Sequence, residues 1–182
     1  AAGVDFEVVV PAVDETLRSG TTAEDGARLL AERKARAVLA RFHGTERWIV
    51  AADTIVAVDL EGEERLLGKP ENEFQARQML RWLSGTRHRV VTGVAVARAR
   101  DGALESGFER TFVHMRGITP AEVEAYVASE EWRDKAGGYA IQETADRFVT
   151  RLEEGGFDNV VGLPVAKTLE LLARLAAPCA PR

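Results

Sequence analysis

The sequence is poor in the side chains that staple or anchor a protein: it has one cysteine, three histidines and no stretch of 18 apolar residues. Each scarcity excludes something. A single thiol supports neither an internal disulfide nor a cysteine-rich zinc site. Cys179 itself reads as a free thiol in a frayed tail over 178–182. His43, His88 and His114 stand apart without ligand spacing and read as surface or internally satisfied side chains. Without a membrane span or a visible signal peptide, a cytoplasmic protein making no membrane contact is the expectation. An excess of positive charge is also missing: 24 Lys and Arg face 29 Asp and Glu, for a net charge of −5. That leaves no basic face to grip nucleic acid, although a few lysines and a metal still suffice for a small anionic ligand. There is no G-x-x-x-x-G-K-[ST] phosphate loop, no Ser/His/Asp elbow and no CxxC.

The chain does have enough apolar material to fold. Its 182 residues are 46 % hydrophobic and 29 % charged, the balance of one globular domain over 1–182, or of one domain with two lobes around a cleft. The pattern predicts a strand over 6–10, and a helix from the N-cap Thr22 to about Phe42. Next come a buried strand from Trp48 continuing to Asp59, a turn at Glu61-Gly62, and a return strand over 65–67. A helix over 71–84 stops at Gly85. Strands follow over 89–100 and on to about Met115, joined at Asp101-Gly102. Thr119-Pro120-Ala121-Glu122 reads as the start of a helix ending near Ser129. Short strands are expected around 139–142 and 147–152, then a terminal helix to about Leu175. Elements in this order make an α/β or α+β fold with a mixed sheet. Residue 1 is Ala rather than Met, and the first strand opens with no element before it, so the start is expected to lie upstream.

Several residues break the local pattern. Lys34 falls within the apolar stripe of Ala27, Leu30, Ala31 and Val38. A lysine there either snorkels from the rim or faces a cleft that holds anions. Asp53 interrupts the apolar run from Ile49 to Val58. A buried, unpaired carboxylate costs several kcal/mol by order of magnitude, so Asp53 must cap a loop, pair with a base or bind a metal. Asp14 and Glu15 follow the first strand. Joined with Asp53 they would make an oxygen set suited to a hard cation such as Mg²⁺. Lys69 is held between Gly68 and Pro70, and Lys135 precedes the flexible Ala136-Gly137-Gly138. Carboxylates and lysines around one cleft suit metal-assisted phosphate chemistry.

Four segments together resemble the Maf family: Val13-Asp14-Glu15; Ala31-Glu32-Arg33-Lys34-Ala35; Ala52-Asp53-Thr54 followed by Gly68-Lys69-Pro70; and Asp134 through Gln142. Leu83-Ser84-Gly85 with His88 and Thr92-Gly93, and Asn159 through Pro164, support the match from about residue 8 to residue 175. The resemblance implies a mixed, elongated sheet flanked by helices with a central cleft between two lobes, similar to the inosine triphosphate pyrophosphatases, and often a homodimer. It implies hydrolysis of a nucleoside triphosphate to the monophosphate and pyrophosphate with a divalent cation. Asp53 would be the proton acceptor, Glu15 and Asp53 the metal carboxylates, and Lys34 and Lys69 the phosphate ligands, with Lys135 also at the substrate. Thr54 and Gln142 match the branch resembling dTTP/UTP pyrophosphatases, and a Gln amide can both donate to and accept from a pyrimidine edge. The alternatives are the 7-methyl-GTP branch, which carries Gln after the Asp and Glu in place of the late Gln, and a nucleotide-binding division regulator without turnover. Pyrophosphate release from a nucleotide panel separates the three. The sequence departs from the family twice. A Ser-x-Arg-Arg loop, whose arginines would clamp the triphosphate, is expected about ten residues before residue 1. Trp132 also stands where a proline is usual.

Overall fold

A computed structural model describes residues 5–177, so the tail containing Cys179 lies outside the described residues. Thr22 opens helix α1 (Ala23–Phe42): its Oγ1 accepts the Asp25 amide at 3.2 Å, and Glu24 and Asp25 put negative charge at the positive end of the helix dipole. Ala23, Ala27, Leu30, Ala31, Ala35 and Val38 recur at helical spacing and are buried against a sheet.

That sheet has the strand order β2-β1-β3-β4-β5. Strand β1 (Trp48–Leu60) turns at Glu61-Gly62 into β2 (Glu63–Leu67). Helix α2 (Glu73–Leu83) then crosses over to β3 (Arg87–Arg98), which turns back into β4 (Leu104–Met115). Helix α3 (Pro120–Ala128), β5 (Val149–Glu153), the single-turn α4 (Phe157–Val161) and α5 (Val165–Ala176) complete the order. The start of α3 is the capping box read from Thr119 and Glu122, with each side chain bonded to the other's backbone N–H. Strand β3 is apolar on both faces because both are covered. Val91, Ala95 and Ala97 face α1, Val90 joins the cluster under α2 and α3, and Val94 and Val96 meet Leu171 and Leu175 of α5. In α2, Leu80 and Leu83 are fully buried, and each contributes about 2 kcal/mol through removal of its side chain from water.

Helix α1 comes closest to the sheet at Gly93. A Cβ there would lie 2.2 Å from the carbonyl carbon and oxygen of Ala27, so only glycine admits the helix. Gly93 is the direct cross-strand partner of Asp53. The tightest helix–sheet approach therefore lies beside the carboxylate that breaks the apolar run.

The α/β architecture agrees with expectation, and three details differ. Where a mixed sheet is expected, all four ladders among the described residues are antiparallel, two of them, β1–β2 and β3–β4, closed by tight turns. Residues 6–10 form no ladder. Phe6, Val8 and Val10 are exposed, and only Val9 packs against α1 and β1. Apolar alternation marks an extended chain, but a strand also needs a partner edge. Residues 139–142 are no strand either; they leave a tight turn at Ala136–Gly138, and Tyr139 and Ala140 are bonded to the side chains of His88 and Tyr126. Among the described residues, no helix is long and apolar enough to cross a membrane.

Candidate active site

Successive residues of β1 point to opposite faces, so Asp53 turns toward α1 while Thr54 turns toward α4. On the α1 side, the Lys34 ammonium is bonded to Asp53 and lies 2.9 Å from Glu15 Oε1. One cation thus bridges a carboxylate from the loop before α1 and one from the middle of the sheet. Lys34 is 19 % and Asp53 11 % exposed at the side chain, so this is not a lysine snorkelling to solvent. Burial raises the Asp53 pKa and Glu15's charge adds to it, against the lowering effect of Lys34 and Lys69. For Lys34, burial alone would lower the pKa, but hydrogen bonds to Asp53 and Glu15 and their charges outweigh it and raise the value.

Two clefts meet at Asp53, Thr54 and Lys69. One, of about 230 Å³, is lined by the polar Lys34, Lys69, Asp134, Lys135 and Gln142 together with Val56, Val90, Val160 and Val161. The other, of about 590 Å³, opens toward Glu15 and the turn at 17–22. Lys34, Lys135 and Gln142 thus line the first cleft and Glu15 the second, with Asp53, Thr54 and Lys69 lining both. Asp14 does not join them. Its Oδ1 accepts the Thr16 amide at 2.9 Å, which makes it a turn residue, and hydrogen bonding to the Thr16 side chain and then to its amide holds the carboxyl below the usual range.

The loops that line the smaller cleft are tied together. The Gly137 amide donates to the Gly68 carbonyl at 2.9 Å and so links the turn of Lys69 to that of Lys135. Gly137, at φ 69°, comes so near Val56 that a Cβ would lie 3.0 Å from its methyl carbon. Trp132 fills the core and donates from Nε1 to the Val127 carbonyl at 3.0 Å, which gives this departure from the family pattern a packing role. The Ala140 amide donates to the Tyr126 hydroxyl at 3.1 Å.

Tyr139 is fixed by His88, which nothing local in the sequence marks as its partner. The bonding assigns the protons. The Thr86 hydroxyl spends its hydrogen on the Leu83 carbonyl at 2.8 Å, so across the 3.3 Å contact His88 Nδ1 must donate. His88 Nε2 is then bare and accepts the Tyr139 hydroxyl at 2.9 Å. Burial, with a smaller contribution from His114, pushes the His88 pKa down to about 3 and keeps the ring neutral. Asp134, Tyr139, Val160 and Val161 also line the cleft, and no local pattern break marks them as chemical residues.

Among the described residues no cluster of three or more His, Cys, Asp or Glu is arranged to hold a metal. The donor set nonetheless fits one hard cation. Glu15 and Asp53 converge on a single positive group, and Mg²⁺ typically takes one or two protein carboxylates, completing its shell with water and phosphate oxygens.

The chain resembles known proteins over nearly its whole length. The family model described as Maf-like protein matches residues 1–175. The chain belongs to the Maf-like family. It is 43 % identical over 178 residues to a dTTP/UTP pyrophosphatase of Geotalea uraniireducens (strain Rf4), an alignment covering 97 % of this chain and 88 % of the relative. It is 42 % identical over 171 residues to a dTTP/UTP pyrophosphatase of Bacillus cereus (strain AH820), covering 94 % and 85 %. A protein of the same name from Bacillus mycoides (strain KBAB4) is 43 % identical over the same length and shares. In this Maf-like chain the match over residues 1–175 spans every residue that borders the two clefts at Asp53.

Proposed function

We propose that this Maf-like protein hydrolyses dTTP/UTP-type nucleoside triphosphates to the monophosphate and pyrophosphate. The carrying observation is the Lys34 ammonium held between Glu15 and Asp53, at a cleft that Lys69, Lys135 and Gln142 also line. The names of the relatives support the substrate class.

Lys34, Lys69 and Lys135 bring three positive charges to one cavity wall and neutralise the triphosphate. When phosphate oxygens compete for the Lys34 ammonium, Asp53 is released from its ion pair. Its carboxylate then accepts a proton from water as the water oxygen bonds to the α-phosphorus. The bond from that phosphorus to the bridging oxygen breaks, and pyrophosphate leaves. A raised pKa suits Asp53 to this task, because a base works best near the ambient pH. Glu15 and Asp53 would hold a divalent cation such as Mg²⁺, which when bound would supply charge neutralisation at the phosphates. Gln142 and Thr54 contact the base. The reading further makes 1–182 one working domain in the cytoplasm, with a second copy of the chain, and no nucleic acid, as its macromolecular partner. The acidic net charge supports the last point.

The test is turnover of UTP in ¹⁸O-labelled water with Mg²⁺. The label is expected in the monophosphate, from attack at the α-phosphorus. Label in pyrophosphate, or release of nucleoside diphosphate, would contradict the reading.

A further inference from the structure

Thr54 enters the proposed function as a base contact, but a hydroxyl can donate or accept, and the choice decides which base it fits. Two buried groups settle the choice. The Thr92 hydroxyl, wholly buried, donates to the backbone carbonyl of Asn159 at 2.8 Å. A carbonyl only accepts, so the single hydrogen of Thr92 is committed. The Thr54 and Thr92 oxygens lie 2.9 Å apart, a distance that needs a hydrogen between them. It has to come from Thr54. Asn159 keeps the arrangement in place: its Nδ2 donates to the Val90 carbonyl at 3.1 Å and to Thr111 Oγ1 at 2.8 Å, which fixes the amide orientation and the position of α4.

We propose that Thr92 is a specificity-positioning residue: by consuming the Thr54 hydrogen it leaves Thr54 an acceptor only, which selects a base with a ring N–H. This deepens the nucleotide reading above and rests on it. Uracil and thymine carry such an N–H between two carbonyls, whereas the matching ring nitrogen of cytosine is an acceptor and would face lone pair to lone pair. The relay runs from the Asn159 carbonyl through Thr92 to Thr54, which lines the cleft together with Val56, Val90, Val160 and Val161. It explains a preference between pyrimidines of nearly equal size and shape without any steric gate, since a site built around one hydrogen-bonding pattern rejects an isostere that lacks it.

The substitution Thr92→Val tests this. It keeps the shape of the side chain, and the Asn159 carbonyl retains the Gly162 amide at 3.0 Å, so no buried acceptor is orphaned and the variant is expected to fold. With its internal acceptor gone, the Thr54 hydroxyl is free to turn and donate. The ratio of kcat/KM for UTP over CTP is expected to fall about tenfold, the worth of one hydrogen bond. Thr92→Ser restores the ratio. In a Thr54→Val background the Thr92→Val change has no further effect on the ratio. If the wild type is active and Thr92→Val leaves the ratio within twofold, the relay is wrong while the enzyme reading stands. If the wild type releases no pyrophosphate from UTP, both fall together.

Discussion

Replacing Gly93 by alanine adds one carbon atom, and the structure states what that atom meets. It would lie 2.2 Å from the carbonyl carbon and oxygen of Ala27 and 2.4 Å from the Arg28 nitrogen, all backbone atoms of α1. Backbone cannot rotate away as a side chain can. Ordinary contact begins near 3.4 Å, so the helix must lift by about 1.2 Å. The same helix carries Lys34 two turns further on, where its ammonium lies 2.9 Å from Glu15. A lift of this size opens that bond and moves the ammonium away from Asp53. Overpacking in a dense core typically costs about 1–3 kcal/mol, and a 1 Å displacement of a catalytic group costs about 100-fold in rate. Gly93→Ala is therefore expected to lower the melting temperature by several degrees and pyrophosphate release from UTP by about two orders of magnitude, measured where the variant is still folded. Unchanged turnover in a variant that melts early would show that helix position does not set the site. Unchanged melting would refute the close approach itself.

Three further outcomes follow from the same geometry. Lys34→Met should reduce kcat/KM about 100-fold or more, in line with the loss of one preorganised charged donor, while lowering the melting temperature only modestly; a variant that merely melts earlier with turnover intact would mean that the ammonium only satisfies a half-buried carboxylate. Glu15→Gln should raise the Mg²⁺ concentration for half-maximal activity about tenfold, and an unchanged Mg²⁺ titration would remove Glu15 from the cation's site. His88 has a pKa near 3 when folded against an ordinary value of 6.5, so below pH 6.5 the unfolded chain binds the extra proton. Stability is then fully present above pH 6.5 and is lost toward pH 3, at up to about 1.4 kcal/mol per pH unit; His88→Gln should flatten that part of the profile, and parallel denaturation curves for the two proteins would contradict the assignment.

Much of the site was legible because it violates a pattern. Lys34 stands in an apolar helical stripe and Asp53 in an apolar strand, and each needs the other to be affordable in a half-buried position. The caps at Thr22 and Thr119 were readable because capping is local chemistry between residues three apart. What could not be read is what tertiary contact decides. Residues 6–10 alternate like a strand but have no ladder. Asp14 and Glu15 are neighbours in sequence, yet Asp14 closes a turn on Thr16 and Glu15 reaches Lys34. His88 and Tyr139 lie far apart in sequence, and nothing near either announces the other. The hydrogen on Thr54 is set by Thr92 and a carbonyl on α4, a direction that only the assembled fold contains.

The central claim is that the carboxylate of Asp53, at the meeting of the two clefts, performs the chemistry. Asp53→Asn keeps size and shape and removes the charge that Lys34 binds. Pyrophosphate release from UTP with saturating Mg²⁺, measured beside a melting curve, is the direct test. Turnover should fall at least a thousandfold, on the order expected for loss of a catalytic base, in a protein that still melts cooperatively. A folded Asp53→Asn variant that turns over UTP at the wild-type rate would contradict the account.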